Sequence, residues 1–93
     1  WRSPQEEFLM DVDIDVNFLM NLLRIQNYRC YYSNIPMTHE TGYFGVSIER
    51  RDNNGGYTKD NVVLSLWRVN SMKSNMPYNE FIHLCRAIAD HHS

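Results

Sequence analysis

The chain has 93 residues, 43% of them hydrophobic and 13% aromatic, which is enough for one compact domain around a single core and too little for two. Its formal charge of -2 at pH 7 excludes the strongly basic balance of many nucleic-acid binders, so any such binding must come from a local patch. Cys30 and Cys85 alone make no disulfide framework, and no apolar run approaches the roughly 20 residues that cross a bilayer. An intracellular, reducing setting is therefore expected, with nucleus and cytoplasm not distinguished and no membrane as partner. A chain that opens on Trp1 without a leader pattern reads as a piece of a longer protein.

In chain order, "DVDID" at residues 11–15 alternates acid and aliphatic. It lacks the glycine and the distant glutamate that a calcium loop needs. Phe18, Leu19, Leu22 and Leu23 then recur at helical spacing, which predicts a helix over about 15–26 with Asp15 as N-cap. "YRCYYSNIPM" is aromatic and β-prone until Asn34 and Pro36 break it, predicting a short strand and turn, and "THETGY" follows as a loop. Phe44, Val46 and Ile48 alternate with Gly45, Ser47 and Glu49, the period-two pattern of a half-buried strand. After the turn chemistry of "NNGG", Val62, Val63, Leu64 and Leu66 form a second apolar run, across a connection too long for a two-residue hairpin. Residues 67 to about 75 suit a short helix carrying Arg68, Asn70 and Lys73, closed by Met76-Pro77. Tyr78, Phe81, Ile82, Cys85, Ile88 and Ala89 give the last helix, about 77–91, one apolar stripe that claims Cys85 for the core.

Charge is uneven along the chain. Up to Arg29, five acids (Glu6, Glu7, Asp11, Asp13, Asp15) face three arginines, whereas from Arg50 to Lys73 five bases (Arg50, Arg51, Lys59, Arg68, Lys73) face Asp52 and Asp60. The basic segment coincides with the most patterned stretch, "SIERRDNNGGYTKDNVVLSLWRVNSMK". That stretch, with "CYYSNIPM" ahead of it, resembles the HNH or ββα-metal finger endonucleases over about residues 27–74. The likeness rests on several features together: an acidic-basic pair ending a strand, Gly-Tyr in the loop, Asn before the second strand, and N-x-x-K on the helix.

The resemblance implies an α+β fold, a single domain over 1–93. In it a finger core of two antiparallel strands, a long loop and a short helix, about 44–75, packs between an N-terminal and a C-terminal helix. It implies a DNA phosphodiester hydrolase, with RNA as an open second substrate, in which Glu49 and Asn70 hold one Mg²⁺ or Mn²⁺. A hard cation of this kind prefers oxygen and takes only one or two ligands from protein while phosphate and water supply the rest. Glu49 adds a methylene to the family's usual aspartate. Arg50 occupies the catalytic histidine's position, yet its guanidinium stays protonated and has no acceptor, so it suits a phosphate and cannot be the general base. Loss of a positioned base costs about 10² to 10⁴ in rate. His39 is the nearest histidine in sequence that could substitute; a lone loop histidine is more often solvated.

Asn61 matches the asparagine that ties the family's long loop to its strands, and Tyr57 stands beside it as a structural residue. Arg50, Arg51, Lys59, Arg68 and Lys73 are the candidate contacts to the nucleic-acid backbone. Strict alternation puts Glu49 and Arg50 on opposite faces, so both reach one phosphate only if the strand ends or twists there. Lys73 has an equally good reading as a solvated lysine, and Glu49 to Arg51 as a surface strand end with ordinary ion pairs. The two zinc knuckles of many relatives would fall at 30 and 33 and at 66 and 69, where this chain has Cys30, Ser33, Leu66 and Val69. One thiolate cannot close a tetrahedral site, so apolar packing is expected in place of structural zinc. His91 and His92 read as a frayed tail, and Tyr28, Tyr31, Tyr32, Tyr43, Tyr57 and Trp67 as core or loop anchors more than stacking surfaces. A finger that binds nucleic acid, or a protein partner, without cutting is the alternative. A homodimer would suit a double-strand cutter, though nothing in the sequence requires one.

Overall fold

The computed structural model describes residues 12–93. The acidic opening before Val12, with Asp11, lies outside them. Helix α1 spans Val16–Ile25. It starts where the sequence places it, because the Asp15 carboxylate accepts from the Phe18 amide at 2.8 Å and satisfies one of the first-turn donors. Strands β1 (Val46–Arg50) and β2 (Val62–Leu66) pair antiparallel, with Val46 opposite Leu66 and Arg50 opposite Val62. Helix α2 (Trp67–Lys73) leaves β2 without a connecting residue, and α3 covers Tyr78–His91. The result is a small α+β domain in which a ββα unit sits between two flanking helices. No helix among the described residues is long and apolar enough to cross a membrane.

β2 carries the core. All five of its residues are buried, as a continuous apolar run predicts. Leu64 and Leu66 pack with Leu23 of α1 and with Cys30 and Met37, and Val69 of α2 and Tyr32 lie against that cluster. Cys30, Leu66 and Val69 thus meet in one apolar cluster. The outer edge of β2 is closed at Leu64. Its N–H donates to Gln26 Oε1 at 3.0 Å, and its carbonyl accepts from Gln26 Nε2 and from the Tyr31 amide. This side chain does the work of a third strand and blunts the edge.

Three expectations are corrected. Residues 28–37 form no strand but a turn, closed by a single bridge between Arg29 and Pro36, with the Cys30 and Asn34 amides bonding within the loop. Asn34, at φ 62°, turns the chain before a second bridge residue can form. In β1 the inner and outer faces are exchanged. Val46 and Ile48 are each 39% exposed while Glu49 is buried at 5%, because α2 covers the Ser47 and Glu49 side. The apolar side instead borders an open groove of about 730 Å³ beneath Leu19, Met20 and Leu23 of α1. In α3 only Phe81 is buried; Ile82 and Cys85 are intermediate, and Leu84 and Ile88 are exposed. The stripe therefore packs at the first turns alone, where Phe81 meets Tyr32 edge-on at 5.8 Å. His91 ends the helix and His92 is its C-cap, and both are exposed.

Candidate functional site

The register puts Ser47 opposite Ser65 and Glu49 opposite Val63, so these four side chains share one face of the ribbon. α2 lies across that face. Asn70 Nδ2 donates to Ser47 Oγ at 2.6 Å, and one turn on, Lys73 Nζ stands 3.6 Å from Glu49 Oε1. The match is geometric: two strand residues rise about 6.6 Å and three helix residues about 4.5 Å, close enough for a helix crossing the strand to meet both. The structure therefore pairs Asn70 with Ser47 and Lys73 with Glu49; among the described residues no hydrogen bond joins Asn70 to Glu49.

Lys73 is not a solvated lysine. It is wholly buried, and Glu49 is 5% exposed. Nor is their pairing complete. Lys73 Nζ, Glu49 Oε2 and Ser65 Oγ are buried without a hydrogen-bond partner, against a strong general tendency for buried polar groups to be satisfied. Burial pushes the Glu49 carboxyl above its ordinary range, opposed first by the Lys73 ammonium and then by the Arg50 charge.

Past the end of β1 lies a cleft that Glu49, Asn70 and Lys73 do not line. Tyr31, Tyr32, Arg51, Asp52, Asn61 and Tyr78 line this cleft of about 290 Å³. Tyr32 lines the cleft and feels the buried charge: burial, and after it the charge of Glu49, hold its phenol protonated well above the usual tyrosine range. It can donate a hydrogen bond there and cannot serve as a base. The Tyr31 amide anchors this wall to β2 through Leu64. Sequence reasoning gives Ser47 and Ser65 no place in a site, and names Tyr32 and Tyr78 only as an aromatic anchor and a member of the last helix's stripe. For Ser47 the i, i+2 spacing from Glu49 was the available signal, whereas Tyr78 reaches the cleft only because α3 packs by its first turns.

Arg50 faces the other way. Its Nη1 donates to the carbonyls of Asn53 at 3.2 Å and Gly55 at 3.0 Å, and its guanidinium lies 5.3 Å from the Tyr57 ring centre. Strict alternation thus holds to the end of the strand, and Arg50 is a loop brace. Asn61 makes the second brace. Its Oδ1 accepts from the Asp52 amide at 2.9 Å, while Nδ2 donates to the Asp52 and Gly56 carbonyls. A Cβ at Gly55 would come within 2.7 Å of that Nδ2, so the clamp needs glycine there. Tyr57 bridges Val12, and its carbonyl accepts from the Asp13 amide.

The five candidate bases do not form one stripe. Arg51 borders the cleft, whereas Lys73 is wholly buried beside Glu49 and does not line it. Arg68 sits 4.3 Å over the Tyr43 ring, which stacks on Trp67 beside the apolar groove on the opposite side of β1. Lys59 is exposed, and its amide donates to Asp13. His39 lines the groove on the Val46 and Ile48 side, away from Glu49. The aromatic residues are less internal than expected, with Tyr28, Tyr31, Tyr43 and Trp67 between 43% and 56% exposed.

No cluster of three or more His, Cys, Asp or Glu side chains that could ligate a metal occurs among the described residues. A Mg²⁺-like ion needs fewer. Glu49 Oε2 is a buried oxygen that nothing satisfies, and the Asn70 amide, with its nitrogen committed to Ser47, has its oxygen left to coordinate. Both are the oxygen type that a hard divalent ion takes, one or two from protein with water and phosphate completing its shell, and the Lys73 ammonium at 3.6 Å competes for Glu49.

No family model matches the chain, and no solved structure matches it. It is 33% identical over 72 residues to an uncharacterized 29.0 kDa protein in the dda-modA intergenic region of Enterobacteria phage T4. The match covers 77% of this chain and 28% of that protein, so the chain spans little more than a quarter of its relative's length.

Proposed function

We propose that this chain is a divalent-metal-dependent endonuclease domain of HNH-like, ββα-metal finger type that hydrolyses DNA phosphodiester bonds. The observation that carries the reading is the buried Glu49 carboxylate oxygen without a donor, on the strand face crossed by the helix that bears Asn70 and Lys73. A protein keeps an incompletely satisfied polar centre at a cost in stability, and such places are where sequence and fold yield to function. Structural zinc has no part in the proposal.

Glu49 and Asn70 would hold Mg²⁺ or Mn²⁺, which when bound supplies charge to the scissile phosphate and the leaving oxygen. Lys73 contributes a further, buried positive charge. Arg51, exposed at the cleft mouth, suits a flanking phosphate, and the half-exposed Tyr31 and Tyr78 offer faces for bases next to it. Ser47 orients the Asn70 amide. The general base is unassigned: the Arg50 guanidinium has no acceptor, burial keeps the Tyr32 phenol protonated, and His39 lines the groove on the other side of β1. Turnover slower by about 10² to 10⁴ than with a positioned histidine is the consequence. An intracellular setting suits both the substrate and the two free thiols.

The engagement of Arg50 in the loop favours a second reading, a finger that grips nucleic acid without cutting it. Supercoiled plasmid with Mg²⁺ or Mn²⁺ decides between them. Nicking that disappears in both Glu49→Ala and Asn70→Ala supports the nuclease. Binding released by salt, with no nicking under either metal, supports the silent finger.

A further inference from the structure

The Glu49–Lys73 pair has a geometry that a purely structural ion pair does not need. Lysine carries three donors, and here the fully buried ammonium completes no hydrogen bond. It stands 3.6 Å from one carboxylate oxygen, and the other oxygen is left bare. Two buried charges in so loose a contact recover little of their desolvation cost. The arrangement resembles a place kept for something else: an anion for the ammonium and a cation for the carboxylate.

We propose that Lys73 is a counter-ion gate on Glu49, and that a divalent cation and a nucleic-acid phosphate enter this site together. In the resting protein the ammonium neutralises Glu49. A divalent ion arriving alone meets a positive charge already beside its carboxylate, and the low dielectric of the interior magnifies that repulsion. A phosphate arriving alone has Lys73 only at the expense of leaving Glu49 buried and unpaired. When both arrive, the carboxylate passes to the cation and the ammonium to a phosphate oxygen, and each of these charges has a partner. The flexible four-carbon stem of lysine allows this exchange without moving α2, which an arginine fork would resist. The phosphate's approach would be the cleft lined by Arg51 and by Tyr32, whose phenol feels the Glu49 charge. Cation affinity and phosphate affinity are then coupled, each raising the other by the same factor. This inference rests on the nuclease reading and assigns its site a mode of control: the metal is held only when a phosphodiester is present.

The test is Mn²⁺ binding to the full chain, followed by paramagnetic resonance of the free ion and counting only the site lost in Glu49→Gln. It is measured alone, with a charged phosphorothioate DNA duplex, and with an uncharged methylphosphonate duplex. The gate predicts that the charged duplex tightens Mn²⁺ at least tenfold and the uncharged one does not. It also predicts that Lys73→Met binds Mn²⁺ at least tenfold more tightly without DNA and gains little from adding it. Should Lys73→Met fail to fold by circular dichroism, the wild-type comparison and a folded Lys73→Arg, which keeps the charge, decide the matter. A Glu49-dependent site with the same Mn²⁺ affinity with and without charged duplex overturns the gate and leaves the nuclease reading intact. No Glu49-dependent Mn²⁺ site under any condition overturns both.

Discussion

Replacing Lys73 by methionine removes the charge paired with Glu49 and keeps a similar volume. Because Glu49 is 5% exposed and its second oxygen already lacks a donor, the carboxylate would keep only the weaker influence of the Arg50 charge, a loss of about 3 to 5 kcal/mol for a buried pair broken on one side. A domain of this size has a total stability of roughly 5 to 14 kcal/mol, so the single variant forfeits a large part of it. Removing both charges gives the opposite expectation. Glu49→Leu with Lys73→Met deletes a pair that stands 3.6 Å apart without a hydrogen bond, and such an exchange is neutral or stabilising by about 1 to 4 kcal/mol. Urea unfolding followed by far-ultraviolet circular dichroism measures both, with the unfolding slope unchanged if the two-state fold is intact. A double variant less stable than wild type by about 2 kcal/mol or more would refute the reasoning, since the pair would then be part of what holds the fold and not a functional centre kept at its expense.

Asn61→Ala removes three hydrogen bonds that close the long loop, at about 1 kcal/mol each, so urea unfolding should show a loss of about 2 to 3 kcal/mol, with faster amide exchange at Asp52. Gln26→Ala unpairs both backbone groups of Leu64 from that side chain at the edge of β2 and should cost about 2 kcal/mol in the same assay. Asp15→Ala removes the N-cap of α1 and should cost about 1 kcal/mol. The raised Glu49 pKa fixes a sign for pH. The folded state binds this proton more tightly than the unfolded chain, so the contribution is fully present below the unfolded value of about 4.3 and is lost as pH rises through the higher folded one. Stability relative to Glu49→Gln should therefore fall with rising pH across that window, and a rise would contradict burial as the dominant cause.

The ββα order was legible because each element carried its own signal: alternation in β1, an unbroken apolar run in β2, a glycine turn between them and an N-cap ahead of α1. The loop clamp was legible too, through Asn61 and the Gly-Tyr step. What sequence could not supply was which side of β1 faces inward. Alternation fixes two faces and does not say which one a helix will cover, and here α2 covers the polar one, burying Glu49 and Lys73 and leaving Val46 and Ile48 on an open groove. The same limit applies to α3, whose regular apolar stripe gives no hint that only its first turns meet the core. The apparent strand at 28–37 was a case of β-prone aromatics overruled by Asn34 and by bonds within the loop. Reading the basic residues as one set failed for a related reason: alternation and helical pitch send Arg50, Arg68 and Lys73 to three different surroundings.

The most direct measurement is Mn²⁺ anomalous diffraction from crystals of the full chain with an uncleaved DNA duplex. The account predicts one peak within coordination distance of a Glu49 oxygen and of the Asn70 side-chain oxygen, with the Lys73 ammonium withdrawn from Glu49 to a phosphate. A duplex bound with no peak at Glu49, and Lys73 still paired to that carboxylate, would contradict it.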